Sequence, residues 1–494
     1  MSAILVPVFI PVESPRGIFD AVVGPVLSQF REDMEDPMDK AMLDGLSGEL
    51  FDFLLEFQDC FQSAPSREHF LAYVRGQLGP LQRKSMEPIA LDLGIKPRTF
   101  QQFLSANVWD ESAMRVRVRR IVATQHADPN AIAVIDETSF NKKGVKTVGV
   151  NRQWCGHTGK LDNCVQTVHL TYVVRDFATI IDSDLYLSKD WCEDKARLRE
   201  ARVPENVAFR TKLKIAVEML ARAKSEGVVM RWLTADEFYG RGSAFLSGVE
   251  ALGLLYVVEV PVNTCGWTPR SFGRGQEHRR VDEFFERGGP SWIDYYVKDT
   301  TKGPVVWRVR ATRFIPHAGE DHTEKWLLIA VNPLDGEAKY FQSNAPAETP
   351  LELLLTVAFS RWRIEHNFEE SKQEIGLDHF ETRSYIGLQR HLAISMVSML
   401  FLVQTSLRLR ARTQQHWTVP QTRLIVNTIV DQELDQDQRS RQLEHNLYKI
   451  SYWQKRAKVA EDCHRKRRLR NLENAGVDLA NAVKCPTWPG GSYL

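Results

Sequence analysis

The chain has 494 residues, more than a single hydrophobic core organises, so two or three domains are expected. Its 43% hydrophobic and 26% charged content is that of an ordinary soluble globular protein. With 64 Lys and Arg against 63 Asp and Glu the formal charge is +1, which argues against a uniformly basic DNA-coating protein but leaves room for local basic clusters. In chain order, the apolar run at residues 4–12 lacks a basic flank and carries Pro7 and Pro11, so it does not read as a signal peptide. Residues 17–125 read mostly as helix, with apolar residues at helical spacing through Ile18, Phe19, Ala21, Val22 and Val23 and again through Leu50, Phe53, Leu54, Leu55 and Phe57. Residues 88–104 have a helix, a turn at Gly94 and a second helix, the outline of a helix-turn-helix. Arg98, Gln101 and Gln102 would then face DNA, although such helical pairs are also common without DNA. Arg115, Arg117, Arg119 and Arg120 follow on the next helix, to contact phosphates or lie exposed.

From about residue 130 the pattern changes to strands. Residues 131–135 are a continuous apolar run, as in a central strand buried on both faces, and they lead into Asp136, Glu137 and Thr138. Two further strands are expected at 165–174 and 178–187, joined by the turn Arg175-Asp176. A helix at 206–226, a strand at 228–233 leading to Asp236, a helix at 242–252 and a strand at 254–258 complete a mixed α/β sheet covered by helices. The cysteines number seven, form no CxxC pair and fit a reducing cytoplasm; Cys155, His157, Cys164 and His169 match no usual zinc spacing, so buried strand cysteines are expected there. Residues 262–345 hold short alternating segments between Gly and Pro turns, an inserted β-rich subdomain. One continuous helix is expected at 350–375, stopped by Gly376, and another at 391–407, whose apolar run 396–403 is too short to span a bilayer. Beyond 412 the chain is polar and carries the run Arg465-Lys466-Arg467-Arg468-Leu469-Arg470 before an irregular tail at 486–491.

The chemistry concentrates at residues 361–372. On a helix, Arg361, Glu365, Glu369 and Lys372 share one face, suited to binding a metal and gripping a phosphate backbone; a solvated helix laced with i,i+4 ion pairs has the same pattern. Asp136 and Asp236 each follow a buried strand, where carboxylates point into the crevice that binds ligands. With Glu365 they make three hard oxygen donors, which favour Mg²⁺ or Mn²⁺ over zinc. Two such ions can activate a water and stabilise the leaving oxygen of a phosphodiester. A metal-independent hydrolase using Asp136 and Glu137 is a rival, but adjacent residues on an extended segment face opposite sides.

Three blocks resemble the DDE transposases of bacterial insertion sequences. They are Val134-Ile135-Asp136-Glu137-Thr138 continuing through Lys142, Lys143 and Gly144 to Val148-Gly149-Val150-Asn151-Arg152-Gln153-Trp154; Trp232 through Asp236 to Gly240; and Arg361-Trp362-Arg363-Ile364-Glu365 through Lys372. The last is similar to the Tyr-Arg-Glu-Lys signature of the branch with a β-strand insertion, which accounts for the long gap from Asp236 to Glu365. The resemblance implies an RNase H-like mixed sheet in two parts, 126–261 and 346–410, interrupted by the β-rich insertion 262–345, with a helical DNA-binding domain at 1–125 and a helical basic region at 411–494. It implies Asp136, Asp236 and Glu365 as the triad for two Mg²⁺ ions, with Mn²⁺ as a substitute, and Arg361 and Lys372 on phosphates near the cut. Ala358 stands where the signature has Tyr, and Glu369 where a base would help, so Arg363 or Lys372 would carry more of the DNA contact. Lys142, Lys143 and Lys146 are candidates for backbone contacts. Trp267, Trp292 and Trp307 are candidates to stack on a flipped base, with Trp292 singled out. The implied partners are double-stranded DNA, as terminal inverted repeats and target, and a second copy in a dimeric complex, in the bacterial cytoplasm with no membrane. A domesticated DNA-binding protein without transposition is the alternative.

Overall fold

Five α-helices precede the first strand among the described residues: α1 (Lys40–Leu55), α2 (Ala64–Leu78), α3 (Met86–Asp92), α4 (Pro97–Ser105) and α5 (Glu111–Gln125). Their ends are written in the sequence. The Ser63 hydroxyl accepts from the Ser66 amide and a proline follows in the first turn of α2, while the Asp110 carboxylate accepts from the Ala113 amide at 2.9 Å to start α5. Gly94, at φ 64°, turns α3 into α4, as only a residue without a Cβ does freely. Phe100, Phe103 and Leu104 are buried on α4, and Arg98, Gln101 and Gln102 are exposed. The structure is a computed structural model that describes residues 40–156, 158–285, 291–319, 322–430 and 436–489. The apolar run at 4–12, the helical spacing at 18–23, His157 and the end of the tail lie outside the described residues.

The next elements build one mixed sheet. Strands β1 (Ile132–Asn141), β2 (Asn151–Cys155), β3 (Lys160–Val174) and β4 (Phe177–Tyr186) are antiparallel neighbours, with β3 between β1 and β4 and its start paired to β2. After α6 (Lys212–Ser225) comes β5 (Trp232–Ala235), then α7 (Ser243–Ala251) and β6 (Leu255–Val260); β1, β5 and β6 are parallel. Ile132 to Ile135 are completely buried because strands flank β1 on both edges and helices cover the sheet, which is why they form a continuous apolar run. The helix expected from 206 starts at Lys212, where Thr211 caps it by accepting from the Lys214 amide at 3.1 Å.

Strands β7 (Cys265–Trp267), β8 (Arg279–Arg280), β9 (Ile293–Lys298), β10 (Val305–Pro316), β11 (Lys325–Val331) and β12 (Ala338–Ser343) come from the segment expected to be β-rich. They extend the same sheet: β12 pairs antiparallel with β6, and the order runs β4-β3-β1-β5-β6-β12-β11-β10-β9, ending on β13 (Val483–Lys484).

The single helix expected at 350–375 is broken. It is α8 (Leu351–Ala358), a 3₁₀ turn at Phe359–Arg361, and α9 (Trp362–Ile375). Thr356 Oγ1 donates to the Glu352 carbonyl at 2.9 Å and Ser360 Oγ to the Thr356 carbonyl at 2.7 Å, hydroxyl bonds that compete with the backbone ladder, while the Phe359 ring packs on Trp307 at 5.0 Å. Gly376 at φ 71° ends α9 as expected.

Helix α10 (Tyr385–Thr413) has 29 residues, longer than expected, and its length and composition alone would let it cross a membrane. Here its apolar stretch is almost wholly buried, against β4, α5, α2 and α4. Helices α11 (Val419–Val430) and α12 (Gln436–Asn474) follow. The basic run on α12 folds back on the sheet: Arg465 pairs with Asp299 at 2.5 Å and Arg468 Nε donates to the Pro304 carbonyl at 2.6 Å.

Two of the arginines expected on phosphates or in solvent are buried instead. Arg115 and Arg119 point inward from α5 to Asp182 on β4, at 3.4 and 3.1 Å, where Arg222 of α6 joins them at 2.9 Å. A buried carboxylate must be paired, and three guanidinium groups hold the acid below its usual range.

Candidate active site

The parallel register of β1 and β5 is offset by one hundred residues throughout, from Ile132↔Trp232 to Ile135↔Ala235. The next residue after each of the last pair is Asp136 and Asp236, which brings the two carboxylates close enough for the charge of Asp236 to act on Asp136. Their settings differ. Strand β5 stops, and Asp236 caps the single helical turn Glu237–Gly240 by accepting from the amides of Phe238 (3.0 Å) and Tyr239 (3.3 Å). Strand β1 does not stop: it runs on beside β3 to Asn141, so Asp136 lies mid-strand and not at a strand end as expected. It faces a cleft because its other neighbour has ended.

Burial raises the Asp136 carboxyl well above its usual range, and the charges of Asp236 and Glu137 raise it further; Arg361 and the Glu137 amide, which donates to Oδ1 at 2.8 Å, oppose this only in part. Asp236 is also raised, by burial and then by Glu137. Two buried acids held together with too little positive charge favour a cation or a proton.

Arg361 precedes α9 and supplies part of that charge. Its Nη1 lies 3.4 Å from Asp136 Oδ2 and its Nη2 2.7 Å from Glu365 Oε1, one turn along. Two further turns on, Lys372 Nζ donates to Thr138 Oγ1 of β1 at 2.7 Å, and burial lowers its pKa. Asp136, Asp236 and Glu365 thus line one cleft of about 840 Å³, with Glu137, Thr138, Trp154, Phe368, Glu369 and Lys372 also on its walls. Among the described residues no three His, Cys, Asp or Glu side chains stand together as a formed metal site, since the guanidinium of Arg361 lies between Asp136 and Glu365. The donor chemistry nevertheless fits a hard divalent cation: all-oxygen ligands, two of them buried and short of countercharge.

A family described as DDE superfamily endonuclease matches residues 56–299, a span that holds Asp136 and Asp236 and stops before Glu365. A probable transposase for insertion sequence element IS701 from Microchaete diplosiphon is 25% identical over 341 residues, 67% of this chain and 81% of that protein. Together these likenesses support a DDE transposase of insertion sequences.

The other expected residues fall in several places. Arg363 is turned away from the cleft: it lines a second cavity on another side of α9 and donates to the Arg175 carbonyl at 3.1 Å. Lys142 is also turned inward, its Nζ 3.5 Å over the Phe380 ring and bonded to the carbonyls of Asp378 and Phe380, with burial lowering its pKa to about 8. Lys143 is exposed, and Lys146 is exposed and paired with Glu200 at 2.8 Å. Trp307 is buried against Phe359, Trp267 is ringed by Phe272, His278, His317 and His322, and Trp292 carries the Arg310 guanidinium 4.4 Å over its face. Cys155 and Cys164 are buried strand residues, and His169 bonds to Thr167 (2.6 Å) and Ser183 (2.7 Å), with burial lowering its pKa to about 3.

Sequence reasoning passed over part of the cleft. Glu137 was expected to face away from Asp136, yet both line it, and Lys212 Nζ holds Glu137 Oε1 at 2.8 Å. Tyr239, completely buried behind the acids, has its hydroxyl pKa pushed far up, first by burial and then by Glu137 and Asp136. The nearby carboxylates were visible in the sequence; that a tyrosine three residues past Asp236 turns back under them was not.

Proposed function

We propose that the protein is a metal-dependent transposase that cuts DNA at the ends of an insertion element and joins the freed 3′-hydroxyl to target DNA. The observation that carries this reading is the convergence of Asp136, Asp236 and Glu365 on one cleft, with Arg361 and Lys372 beside them. Asp136, Asp236 and Glu365 would hold two Mg²⁺ ions, or Mn²⁺ in their place. When bound, such ions activate the attacking oxygen and stabilise the leaving one. The chain's own residues bind and orient. Asp236 is fixed by its two amide bonds, Asp136 by the amide of Glu137, and Arg361 and Lys372 are cations placed for the phosphates on either side of the cut. Glu365, with its side chain 55% exposed, is the acid free to swing from Arg361 to a metal.

The strand order β4-β3-β1-β5-β6, three antiparallel strands followed by two parallel to β1, supports an RNase H-like catalytic domain over 126–261 and 346–410, with 262–345 inserted in it. Residues 1–125 and 411–494 serve double-stranded DNA, the former through exposed Arg98, Gln101 and Gln102 on α4. The working form is a dimer bridging two element ends in the bacterial cytoplasm.

The test is cleavage of DNA carrying the gene's own flanking ends with Mg²⁺, wild type beside Glu365→Ala. Cutting at the end by wild type alone is the expected result. Binding without cutting by either protein overturns the reading in favour of a domesticated DNA-binding protein.

A further inference from the structure

Trp154 is the most exposed tryptophan among the described residues. It lies on β2 opposite Leu161 of β3, and both side chains are 59% exposed, an apolar pair left open on a hairpin. Among the described residues no aromatic ring or cation packs on the Trp154 ring, whereas Trp267, Trp292, Trp307 and Trp362 each have such a partner. Its backbone is nevertheless fixed: the carbonyl accepts from Gln166 Nε2 at 2.7 Å, and Gln166 is itself buried. A rigidly held peptide thus presents an open indole, and Trp154 lines the same cleft as Asp136, Asp236 and Glu365. Arg152, exposed and two residues earlier on β2, shares its face of the hairpin.

An open aromatic face beside a phosphate-seeking cation suits a nucleotide: the ring takes the base and the cation takes the backbone. Trp292 does not line the cleft and its face already carries Arg310, so the geometry does not favour it. We propose that Trp154 stacks on the DNA base next to the phosphate being cut, holding that strand in the cleft. This rests on the proposed cleavage function and adds to it a substrate-contacting residue outside the inserted strands.

The experiment uses the full chain and end DNA with 2-aminopurine placed in turn at each position around the cut. Wild type should quench one such position. Trp154→Ala should lose the quench and cut on the order of tenfold more slowly, as removal of one stacking platform predicts. Trp154→Phe should restore most of both signals, which a merely structural role for the bulky side chain would not require of the quench. Cutting at wild-type rate by Trp154→Ala overturns the proposal, and so does slower cutting with the quench intact. If wild type itself does not cut, the cleavage function fails first and this inference falls with it.

Discussion

The guanidinium of Arg361 lies 3.4 Å from Oδ2 of Asp136. It is therefore the nearest positive charge to an acid whose burial and acidic neighbours hold its pKa far above normal, and it competes with any cation that would take the same place. Arg361→Ala should cut DNA ends far more slowly, because the cation that would meet a phosphate has gone. Its apoprotein should nevertheless take up Mg²⁺ more tightly, on the order of tenfold, since a repelling charge has been removed. Calorimetric titration of Mg²⁺ into both apoproteins checks this; weaker binding by the variant would show that Arg361 helps to build the metal site.

Asp136 also makes a prediction about pH. Its folded pKa is raised above the ordinary 3.8, by burial and by Asp236 and Glu137, with Arg361 opposing. The folded state therefore binds this proton more tightly than the unfolded chain does, so its contribution is fully present below pH 3.8 and is lost as the pH climbs through the folded pKa. At neutral pH without divalent cations, Asp136→Asn should melt higher than wild type, by about 1–2 °C per kcal/mol for a chain of this size. The difference should close on acidification, and Mg²⁺ should raise the melting temperature of wild type more than that of the variant. A variant that melts lower than wild type at pH 7 would refute the argument.

Much of this site could be read from the chain. The Asp136 block, the Asp236 block and the helix bearing Arg361, Glu365 and Lys372 were visible because buried strands announce themselves as apolar runs, and carboxylates that follow them stand out. What could not be read depended on partners distant in sequence. That β1 continues past Asp136 is fixed by its pairing with β3, and that Arg363 and Lys142 turn inward is fixed by the Arg175 and Phe380 segments they meet. Arg115 and Arg119 look like surface charges until Asp182 is placed beneath them. The break at Phe359–Arg361 depends on hydroxyls that bond backward and on Trp307, far away in the chain.

The Asp182 cluster should be a stability determinant remote from the cleft. Asp182→Ala leaves Arg115 and Arg119 buried with fewer countercharges, a change that costs about 3–5 kcal/mol for a buried pair broken on one side. Denaturant unfolding should show that loss, while the protein that remains folded at low temperature should still bind Mg²⁺ as wild type does.

Gly240 closes the helical turn that Asp236 begins, and it lies against β6: a Cβ built there would sit 1.9 Å from the Glu259 carbonyl oxygen. That atom is backbone within a paired strand, so the turn and not the strand must move. Gly240→Ala should cost about 1–3 kcal/mol in stability, as overpacking does, and should impair end cleavage more than end binding because it displaces Asp236. Equal loss of both activities would mean that the turn is not what positions the acid.

Helix α4 carries the remaining prediction, because its two faces are cleanly separated. Phe100, Phe103 and Leu104 are buried, whereas Arg98, Gln101 and Gln102 lie in solvent with no structural task that their removal would disturb beyond about 0.5 kcal/mol. If this face reads DNA, Arg98→Ala should lower the slope of log affinity against log salt by about 0.9 where the guanidinium meets a phosphate. Gln101→Ala and Gln102→Ala should instead erode the preference for the element's own ends over unrelated DNA, by about 1–3 kcal/mol for each amide that hydrogen-bonds a base edge. Filter-binding or anisotropy titrations at several salt concentrations separate the two effects. A triple variant with unchanged affinity, slope and preference would move end recognition away from α4 and towards the exposed basic residues of α12.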